Sequence, residues 1–420
     1  MKLAIIGGGS TYTPELIDGI IQNNSELGVS TLGVNAIFLM DIDKDRLQIL
    51  SDFSKRMISA KGSHIEIFAT TDLEEALLGA HFVLTQIRVG GQEARLKDEH
   101  IALENDCIAQ ETTGAGGFSK ALRTIPEILK VAKAMEKLCP HAVLVNFTNP
   151  SGIVTQAVNN HSRIRCVGLC NVPIVMKNKI AEVINKPIDK IQLDYFGLNH
   201  LSFIRDILVD GKSYFEEYYY LCADENFNAD TIKTLELIPS PYLRYYFYRD
   251  EIIAEQKDGK KLRAEEVMKI EKELLELYKD TTLDEKPAVL SKRGGALYSK
   301  AACDLLKALK NDAGILQIVN VMQKGVFKDL PYNAVCEMPA TVSSVGEEPL
   351  KLRPLPLKTR GLIQNVYAYE ELTVAAAVKG SYQNGLEALM THPLVGSYKK
   401  AKGIMDKILA EHKQYLPNFK

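Results

Sequence analysis

Short, continuously apolar runs alternate with amphipathic stretches through the first half of the chain, and this pattern restricts the fold more than any other feature. Six runs have the length of strands: Leu3–Ile6, Ala36–Met40, Ile65–Ala69, Phe82–Ile87, Ala142–Asn146 and Cys166–Leu169. Apolar residues without alternation are typical of strands buried on both faces of a parallel sheet. Strands and helices in regular succession predict a Rossmann-type doubly wound α/β domain.

Two helix starts are predicted between these strands. Thr13 is expected to cap a helix whose first residue is Pro14, and the segment Thr71-Asp72-Leu73-Glu74 has the pattern of a capping box. Both lie directly after a predicted strand. They therefore support the assignment of strand followed by helix.

From about residue 170 the pattern changes. A helix is predicted near Val172–Asn185, followed by longer strands at Ile191–Leu198 and Ile204–Val209. We therefore expect two domains that pack around a shared cleft. Residues 1–170 would form a Rossmann-like domain, of a class that binds nucleotides, and residues 171–420 would form a second, α+β domain.

Composition excludes several classes of function. The chain has 420 residues, 46% hydrophobic and 25% charged, which suffices for a large buried core. A formal net charge of -2 leaves no basic stripe for a phosphate backbone, so nucleic acid is not an expected partner. No apolar stretch reaches the roughly 18 residues of a membrane span. Without a secretion signal or Cys-x-x-Cys pairs among seven cysteines, we expect a cytoplasmic protein with reduced thiols.

A glycine-rich segment between the first predicted strand and helix is a candidate nucleotide loop. Glycines allow the backbone to approach a pyrophosphate, whose charge the helix N-terminus stabilises. Asp41 follows the second strand, where an acidic side chain accepts a hydrogen bond from a ribose hydroxyl and favours NAD over NADP. The fingerprint is imperfect, since Tyr12 replaces the third glycine and Asp41 lies beyond the usual spacing, so a plain tight turn is the alternative. The predicted NAD-binding residues are Gly7, Gly9, Ser10, Thr11 and Asp41.

Cys170 and His200 are candidate metal ligands. A thiolate and an imidazole bind transition ions, and two protein ligands leave positions open for a substrate. Cys170 ends a predicted strand, at the carboxyl edge where ligands of such folds bind. Taken singly, each residue is more often structural, and their separation along the chain matches no short zinc motif. Placement in the fold, and not spacing, supports the pair.

Two further segments are suited to a polar ligand, and the first of them follows a predicted strand. The asparagines of Asn146-Phe147-Thr148-Asn149-Pro150 are suited to sugar hydroxyls, with helix capping by Asn149 or Ser151 as the alternative. Residues 110–117, Gln-Glu-Thr-Thr-Gly-Ala-Gly-Gly, form a polar loop expected either to close over a ligand or only to connect two elements.

Charged and phenolic side chains complete the candidates. The guanidinium groups of Arg88, Arg95 and Arg293 match the geometry of a phosphate, although each arginine alone is more often a surface charge. A tyrosine of the segment 239–246 can act as a base beside a cation, whereas most tyrosines of such a cluster only pack.

Five segments, in this order, are similar to the motifs of one enzyme family: 7–16, 110–114, 146–152, 168–171 and 197–200. On these motifs essentially the whole chain resembles the NAD- and manganese-dependent glycosidases of glycoside hydrolase family 4, and among them the 6-phospho-β-glucosidases. The resemblance implies a fold like that of lactate and malate dehydrogenases. It also implies that residues 1–170 bind NAD and that residues 171–420 are the catalytic domain, which binds metal and substrate and provides the oligomer contacts. The implied oligomer is a homodimer or a homotetramer.

The resemblance further implies a role for each candidate. Cys170 and His200 would hold Mn²⁺, or another divalent ion, together with the C2 and C3 hydroxyls of the sugar, and Tyr242 would be the catalytic base, with Tyr245 and Tyr246 close by in the sequence. Members acting on α-linkages carry Cys-Asp where this chain has Cys170-Asn171, which favours a β-linkage. The implied substrate contacts are Arg95, Asn149, Asn171 and Arg293.

The implied reaction is hydrolysis of 6-phospho-β-glucosides, such as 6-phosphocellobiose, to glucose 6-phosphate and an aglycone or sugar. It runs through oxidation at C3, loss of the C2 proton, elimination at C1, addition of water and reduction, which is an exception to hydrolysis by paired carboxylates. Three alternatives stay open at this point. They are a family 4 α-glycosidase (6-phospho-α-glucosidase, α-galactosidase or galacturonidase), an NAD-dependent hydroxy-acid dehydrogenase, and a nucleotide-sensing protein without turnover.

Overall fold

The computed structural model describes residues 1–24, 31–259, 261–294, 297–311 and 314–419. Within these ranges the strands belong to a nine-stranded sheet and a four-stranded sheet. The strands are β1 (Lys2–Ile6), β2 (Ala36–Met40), β3 (Glu66–Thr70), β4 (Phe82–Thr85), β5 (Val143–Asn146), β6 (Cys166–Gly168), β7 (Ile191–Leu198), β8 (Leu201–Val209), β9 (Lys212–Ser213), β10 (Ile238–Pro239), β11 (Ile315–Met322), β12 (Val335–Ser343) and β13 (Gly346–Pro349).

The helices connect and surround these strands. They are α1 (Thr13–Asn24), α2 (Lys44–Ala60), α3 (Leu73–Leu77), α4 (Gly91–Glu104), α5 (Gly114–Leu138), α6 (Ser151–His161), α7 (Val172–Ile184), α8 (Phe215–Tyr218), α9 (Ala229–Leu235), α10 (Arg244–Phe247), α11 (Arg249–Lys257), α12 (Arg263–Lys279), α13 (Tyr298–Lys310), α14 (Leu357–Lys379), α15 (Tyr382–Thr391) and α16 (Tyr398–Glu411). Short 3-10 segments lie at Ile188–Lys190, Tyr219–Cys222, Pro241–Leu243, Ala288–Arg293 and Lys413–Tyr415. None of the described helices combines the length and the apolar character that crossing a membrane requires.

The parallel part of the large sheet confirms the predicted fold class. Its strand order is β3-β2-β1-β4-β5-β6, with every neighbouring pair parallel, which is the order of a Rossmann sheet. All six predicted strands are present, with bounds that differ by at most two residues. The residues of β4 and β5 are buried without exception, as continuous apolar runs predict.

The strands of the C-terminal half extend this same sheet. β11 pairs antiparallel with β6, β12 pairs with β11, and β13 closes the edge. One row of paired residues therefore crosses eight strands near the carboxyl ends of the parallel ones: Thr70, Met40, Ile6, Thr85, Asn146, Gly168, Asn320 and Glu337. The division of the chain at residue 170 stays a prediction.

The small sheet holds a hairpin that faces this edge. β7 begins and ends where predicted, while β8 begins three residues before the predicted Ile204, so that only Asn199 and His200 connect the two strands. His200 has φ +64°, in the left-handed region that few residues other than glycine adopt. The Asn199 and His200 side chains therefore project from adjacent positions of one tight turn.

Three local expectations were wrong. Asp72, and not Thr71, caps α3, because its side chain accepts from Glu74 N at 2.8 Å. The Thr13 hydroxyl donates to Gly8 O at 2.9 Å and does not cap α1. Residues 114–117 are the first turn of α5 and not a loop. The glycines of this turn allow the preceding segment to pack closely against it, because a Cβ on Gly116 would lie 2.1 Å from Gln110 O.

Candidate active site

One cleft of about 1220 Å³ opens at the carboxyl edge of the parallel strands. It is long enough to reach from the glycine-rich turn after β1 to the hairpin turn between β7 and β8. Most of the residues selected from the sequence line it: Gly7, Gly9, Ser10, Asp41, Arg95, Asn149, Asn171, His200, Tyr242 and Arg293. The other two, Thr11 and Cys170, are buried directly against lining residues, at Arg293 and His200 respectively.

The glycine-rich turn and Asp41 form one unit. Gly9 N donates to Asp41 Oδ2 at 2.8 Å, and a Cβ on Gly9 would meet the same oxygen at 2.8 Å. Gly7 has φ +93° and no room for a side chain beside the backbone of Gln86. Glycine is thus required at both positions for steric reasons. The carboxylate stands at the end of β2, where a ribose hydroxyl is bound in folds of this kind.

Cys170 and His200 meet in the wall of the cleft. The Cys170 Sγ and His200 Nε2 atoms are 3.6 Å apart, and both side chains are buried. Typical bond lengths from such an ion are about 2.3 Å to sulfur and about 2.1 Å to nitrogen. At a tetrahedral angle, two ligand atoms at these bond lengths are about 3.6 Å apart. The distance between the two atoms therefore fits a shared transition-metal ion. Among the described residues, no group of three or more His, Cys, Asp or Glu side chains is suited to hold a metal ion, so the protein would supply two ligands here.

The protonation states of the pair are set by burial. Burial lowers the pKa of His200 to about 3, so that the ring is neutral and able to bind a metal. Burial raises the pKa of the Cys170 thiol, so a metal ion has to displace its proton. Two buried polar atoms nearby, His200 Nδ1 and Asn149 Oδ1, make no hydrogen bond among the described residues. Unsatisfied polar atoms of this kind are typical of a site that receives a ligand.

Tyr242 covers the imidazole of His200. Their ring centroids are 3.7 Å apart with an angle of 12° between the planes. Burial raises the pKa of Tyr242, which opposes the role of a base in the protein alone. A metal ion at the neighbouring pair would act in the opposite direction, because a cation stabilises the phenolate. Tyr246, by contrast, lies with its hydroxyl 3.0 Å from Thr113 Oγ1.

A second part of the cleft is rich in cations. Glu111 accepts from Lys120 Nζ at 2.9 Å, from Arg95 Nη1 at 3.2 Å and also from Arg88. Although burial raises the pKa of Glu111, Arg88 and Lys120 hold it well below its usual range. Burial and the nearby Arg88 lower the pKa of Lys120 to about 7. Arg95 also forms an ion pair with Glu99 at 2.8 Å, so three cationic side chains face two carboxylates in this part of the cleft.

Arg293 lies apart from Glu111, against the nucleotide turn. Its Nε donates to Thr11 Oγ1 at 3.1 Å, and its guanidinium forms an ion pair with Glu271 at 2.9 Å. Glu271 also accepts from Gln92 at 2.9 Å. The arginine is therefore held between the turn and helix α12.

Sequence reasoning missed several lining residues. Lys120 had a detectable signal, since it is the single charged residue in the stretch 114–122 of a buried helix. Glu271 had none, because it lies among the many acidic residues of the charged helix α12. Tyr298 also lines the cleft, and the Asn149 side chain beside it opposes the rise that burial causes in its pKa. No local sequence pattern indicates this position.

Two family models match the chain. The model for family 4 glycosyl hydrolases covers residues 2–186, and the model for the family 4 glycosyl hydrolase C-terminal domain covers residues 195–395. Among curated proteins, the chain is 42% identical to a probable 6-phospho-beta-glucosidase of Bacillus subtilis, over all of this chain and 98% of that protein. It is 30% identical to the phospho-alpha-glucosidase PagL of Clostridium acetobutylicum, over 99% of this chain and 98% of that protein.

Solved structures agree with these matches. A 6-phospho-beta glucosidase from Thermotoga maritima, in a crystal form with manganese, NAD⁺ and glucose-6-phosphate, is 37% identical with a TM-score of 0.91, over 99% of both chains. Malate dehydrogenase from Plasmodium falciparum has a TM-score of 0.53 at 13% identity, over 90% of this chain and 98% of that chain. The second likeness concerns the fold alone, and it confirms the expected resemblance to malate dehydrogenase.

Proposed function

Because the chain belongs to family 4 of the glycosyl hydrolases, we propose that it hydrolyses 6-phospho-β-glucosides to glucose 6-phosphate and an aglycone or sugar, using NAD and a divalent metal ion. One observation carries the proposal: a single cleft contains the nucleotide turn, the Cys170–His200 pair and a cluster of cations. The higher identity to a β-specific than to an α-specific relative supports the β-linkage.

The nucleotide turn binds NAD. Backbone groups of Gly7, Gly9 and Ser10 approach the pyrophosphate, Thr11 supports the turn through Arg293, and Asp41 accepts from a ribose hydroxyl. Cys170 and His200 hold Mn²⁺ or a similar ion. When bound, NAD accepts and returns a hydride, and the metal ion acts as a Lewis acid toward the oxygens of the sugar.

Tyr242 removes and returns the proton at C2 of the sugar. Its ring stands against His200, so the phenolic group lies beside the oxygens that the metal site would bind. A base in this position acts on a carbon whose acidity depends on the neighbouring oxidised carbon. Cys170 and His200 are buried and Tyr242 is half-buried beside them, which limits the access of bulk water to the step.

The cation cluster receives the phosphate of the substrate. Arg95 offers a guanidinium, and Lys120 and Arg88 add charge within one ion-pair network. A phosphate dianion would oppose the burial and the repulsion by Arg88 that lower the pKa of Lys120. Arg293 contributes from the side of the nucleotide turn, and Asn149 and Asn171 bind sugar hydroxyls.

We propose in addition that residues 171–420 form the catalytic and oligomerisation domain, that the protein is a homodimer or homotetramer, and that it acts in the cytoplasm. The second family model, which covers residues 195–395, supports a division of this kind. Sedimentation of the purified protein measures the oligomer directly.

The route is tested by turnover in D₂O. Removal and return of the C2 proton predict deuterium at C2 of the glucose 6-phosphate produced, detected by NMR. A turning-over enzyme whose product carries no deuterium at C2 would exclude the elimination route.

The substrate class is tested by paired α- and β-nitrophenyl glucosides with and without a 6-phosphate, each at ±NAD⁺ and ±Mn²⁺ under reducing conditions. We expect activity only on the phosphorylated β-compound with both cofactors. Faster cleavage of the α-compound would favour the α-glycosidase alternative, and stoichiometric NADH from a hydroxy acid would favour the dehydrogenase.

A further inference from the structure

A buried carboxylate lies close to the proposed metal pair without a cationic partner. Glu337, on β12, is 1% exposed. Its oxygens accept from Tyr195 OH at 2.6 Å, Asn199 Nδ2 at 2.9 Å and Ser202 Oγ at 3.2 Å, all neutral donors. In the part of the chain that the structure describes, no lysine, arginine or histidine forms an ion pair with it. Burial raises the pKa of Glu337, and the hydrogen bonds from Tyr195 and Asn199 oppose this rise, so that a cation close by would favour the charged carboxylate.

The register of the large sheet brings this carboxylate to the metal pair. Glu337 pairs with Asn320 on β11, and Asn320 pairs with Gly168 at the end of β6. Cys170 follows Gly168 by two residues, so the thiol and the carboxylate lie at the same edge of the sheet.

Asn199 connects the two groups. It occupies the hairpin turn next to His200 and donates to Glu337 Oε1, and its side chain also opposes the rise that burial causes in the pKa of the Cys170 thiol. A side-chain amide has two N–H donors, so one asparagine can serve both acceptors. A Cβ on Gly152 would lie 3.1 Å from the Asn199 Cβ, which leaves the asparagine little space to move.

We infer that Glu337, acting through Asn199, orients the Cys170 sulfur and supplies the second negative charge that balances a divalent ion at Cys170 and His200. A thiolate and a carboxylate together match the charge of such an ion. Outer groups of this kind fix the orientation of metal ligands and raise affinity. Glu337 is thus a positioning residue, and the inference rests on the proposed metal pair.

The test measures metal affinity and not turnover. In the NAD⁺-loaded protein, the dissociation constants of Mn²⁺ and Co²⁺ are determined by competition with a chelating dye, and the thiolate-to-Co²⁺ charge-transfer band is recorded. We expect Glu337→Gln, which keeps the shape but not the charge, to weaken binding about 10- to 100-fold and to shift the band. Asn199→Ala should have a similar effect, and the double variant should be little weaker than either, because both act along one route.

Two controls separate positioning from general destabilisation. Ser202→Ala removes one donor to Glu337 but leaves its charge and its bond to Asn199, so affinity should stay within about twofold of the wild type. Asp98→Asn disturbs a buried carboxylate paired with Arg123 elsewhere in the fold, so it should lower the Tm and leave the Co²⁺ band unchanged.

Cys170→Ser distinguishes failure of the inference from failure of the proposed function. If this variant binds Co²⁺ as the wild type does, the metal pair itself is wrong. If it loses the metal while Glu337→Gln and Asn199→Ala keep wild-type affinity and an unshifted band, the metal pair stands and the role of Glu337 is overturned. Because Asn199→Ala leaves the buried carboxylate in place, it tests whether Glu337 orients the Cys170 sulfur even if Glu337→Gln does not fold.

Discussion

At the scale of single residues, the chemistry of the cleft depends on burial. His200 is neutral because burial lowers its pKa to about 3, and burial also raises the pKa of Tyr242 that stacks on it. Lys120 is brought to a pKa of about 7 by burial and by Arg88. The same residue types on the surface would have ordinary protonation states and none of these functions.

Tyr242→Phe should separate proton transfer from packing. The phenylalanine ring keeps the stack on His200, but the group that exchanges the C2 proton is lost. We expect kcat to fall about 10²- to 10⁴-fold, with little change in the affinity for Mn²⁺. Tyr245→Phe, a change in a neighbouring tyrosine of the same cleft, is the control and should retain most of the activity. Deuterium exchange at C2 at the wild-type rate in Tyr242→Phe would assign the base elsewhere.

Gly9→Ala should impair binding of NAD. The added methyl group would stand 2.8 Å from Asp41 Oδ2 and push the carboxylate from its position. We expect the dissociation constant of NAD⁺, measured by fluorescence titration, to rise about tenfold or more, since one tenfold step corresponds to only about 1.4 kcal/mol. Unchanged affinity would mean that Asp41 moves without loss and does not hold the ribose.

At the scale of elements, the backbone conformation of a tight turn or a helix decides which residues the chain accepts at a position. The turn between β7 and β8 contains two residues, and one of them, His200, has a left-handed backbone. Non-glycine residues in this region are held there by the surrounding structure, often at functional sites. The hairpin thus supplies the rigid base on which the imidazole faces Cys170.

Gly361→Ala should stabilise the protein. Gly361 is exposed within α14, where nothing lies within 4 Å of an added Cβ. Alanine is favoured over glycine in a helix interior by about 1 kcal/mol. Urea unfolding should therefore move to higher denaturant concentration at unchanged activity, whereas a lower midpoint would contradict the described helix.

At the scale of the whole molecule, buried charges join distant parts of the chain. Asp98 on α4 forms an ion pair with Arg123 of α5 at 2.7 Å and a hydrogen bond to His412, which directly follows α16, at 2.8 Å. Although burial raises the pKa of Asp98, Arg123 and His412 together hold it below its usual value. This network connects the end of the C-terminal helix α16 to helices α4 and α5.

Stability should consequently fall in acid. A carboxyl whose pKa is lower in the folded than in the unfolded state stabilises the fold above the unfolded pKa of about 3.9 and ceases to do so as the pH falls toward the folded value. Asp98→Asn leaves Arg123 buried without its partner and should destabilise by about 3–5 kcal/mol at neutral pH. It should also weaken the loss of stability that begins as the pH approaches the unfolded pKa of about 3.9 and continues below it.

Unfolding by urea at several pH values measures both effects. Asp106→Asn is the matched control, because Asp106 is exposed and pairs only with surface lysines. An Asp98→Asn variant with wild-type acid sensitivity would assign the acid transition to other carboxyls.

The parallel strands and the nucleotide turn could be predicted from the sequence because their signals are local. A buried strand such as β4 is an uninterrupted apolar run, and Gly9 with Asp41 marks the turn at the ends of β1 and β2. The antiparallel strands β11 and β12 have no comparable signal, since they include polar residues such as Asn320 and Glu337, which hydrogen-bond to each other across the two strands. Their place in the large sheet was accordingly not predicted.

What the sequence by itself determined is the set of reactive groups and their order along the strands: a glycine turn after β1, Asp41 after β2, the asparagines after β5 and Cys170 after β6. Residue type and local periodicity depend only on neighbours in the chain. The tertiary structure alone decided that His200 stands 3.6 Å from Cys170, that Lys120 is buried among arginines, and that Glu337 lies behind the pair. Distance, desolvation and the pairing of distant strands arise from long-range contacts, which local patterns do not contain.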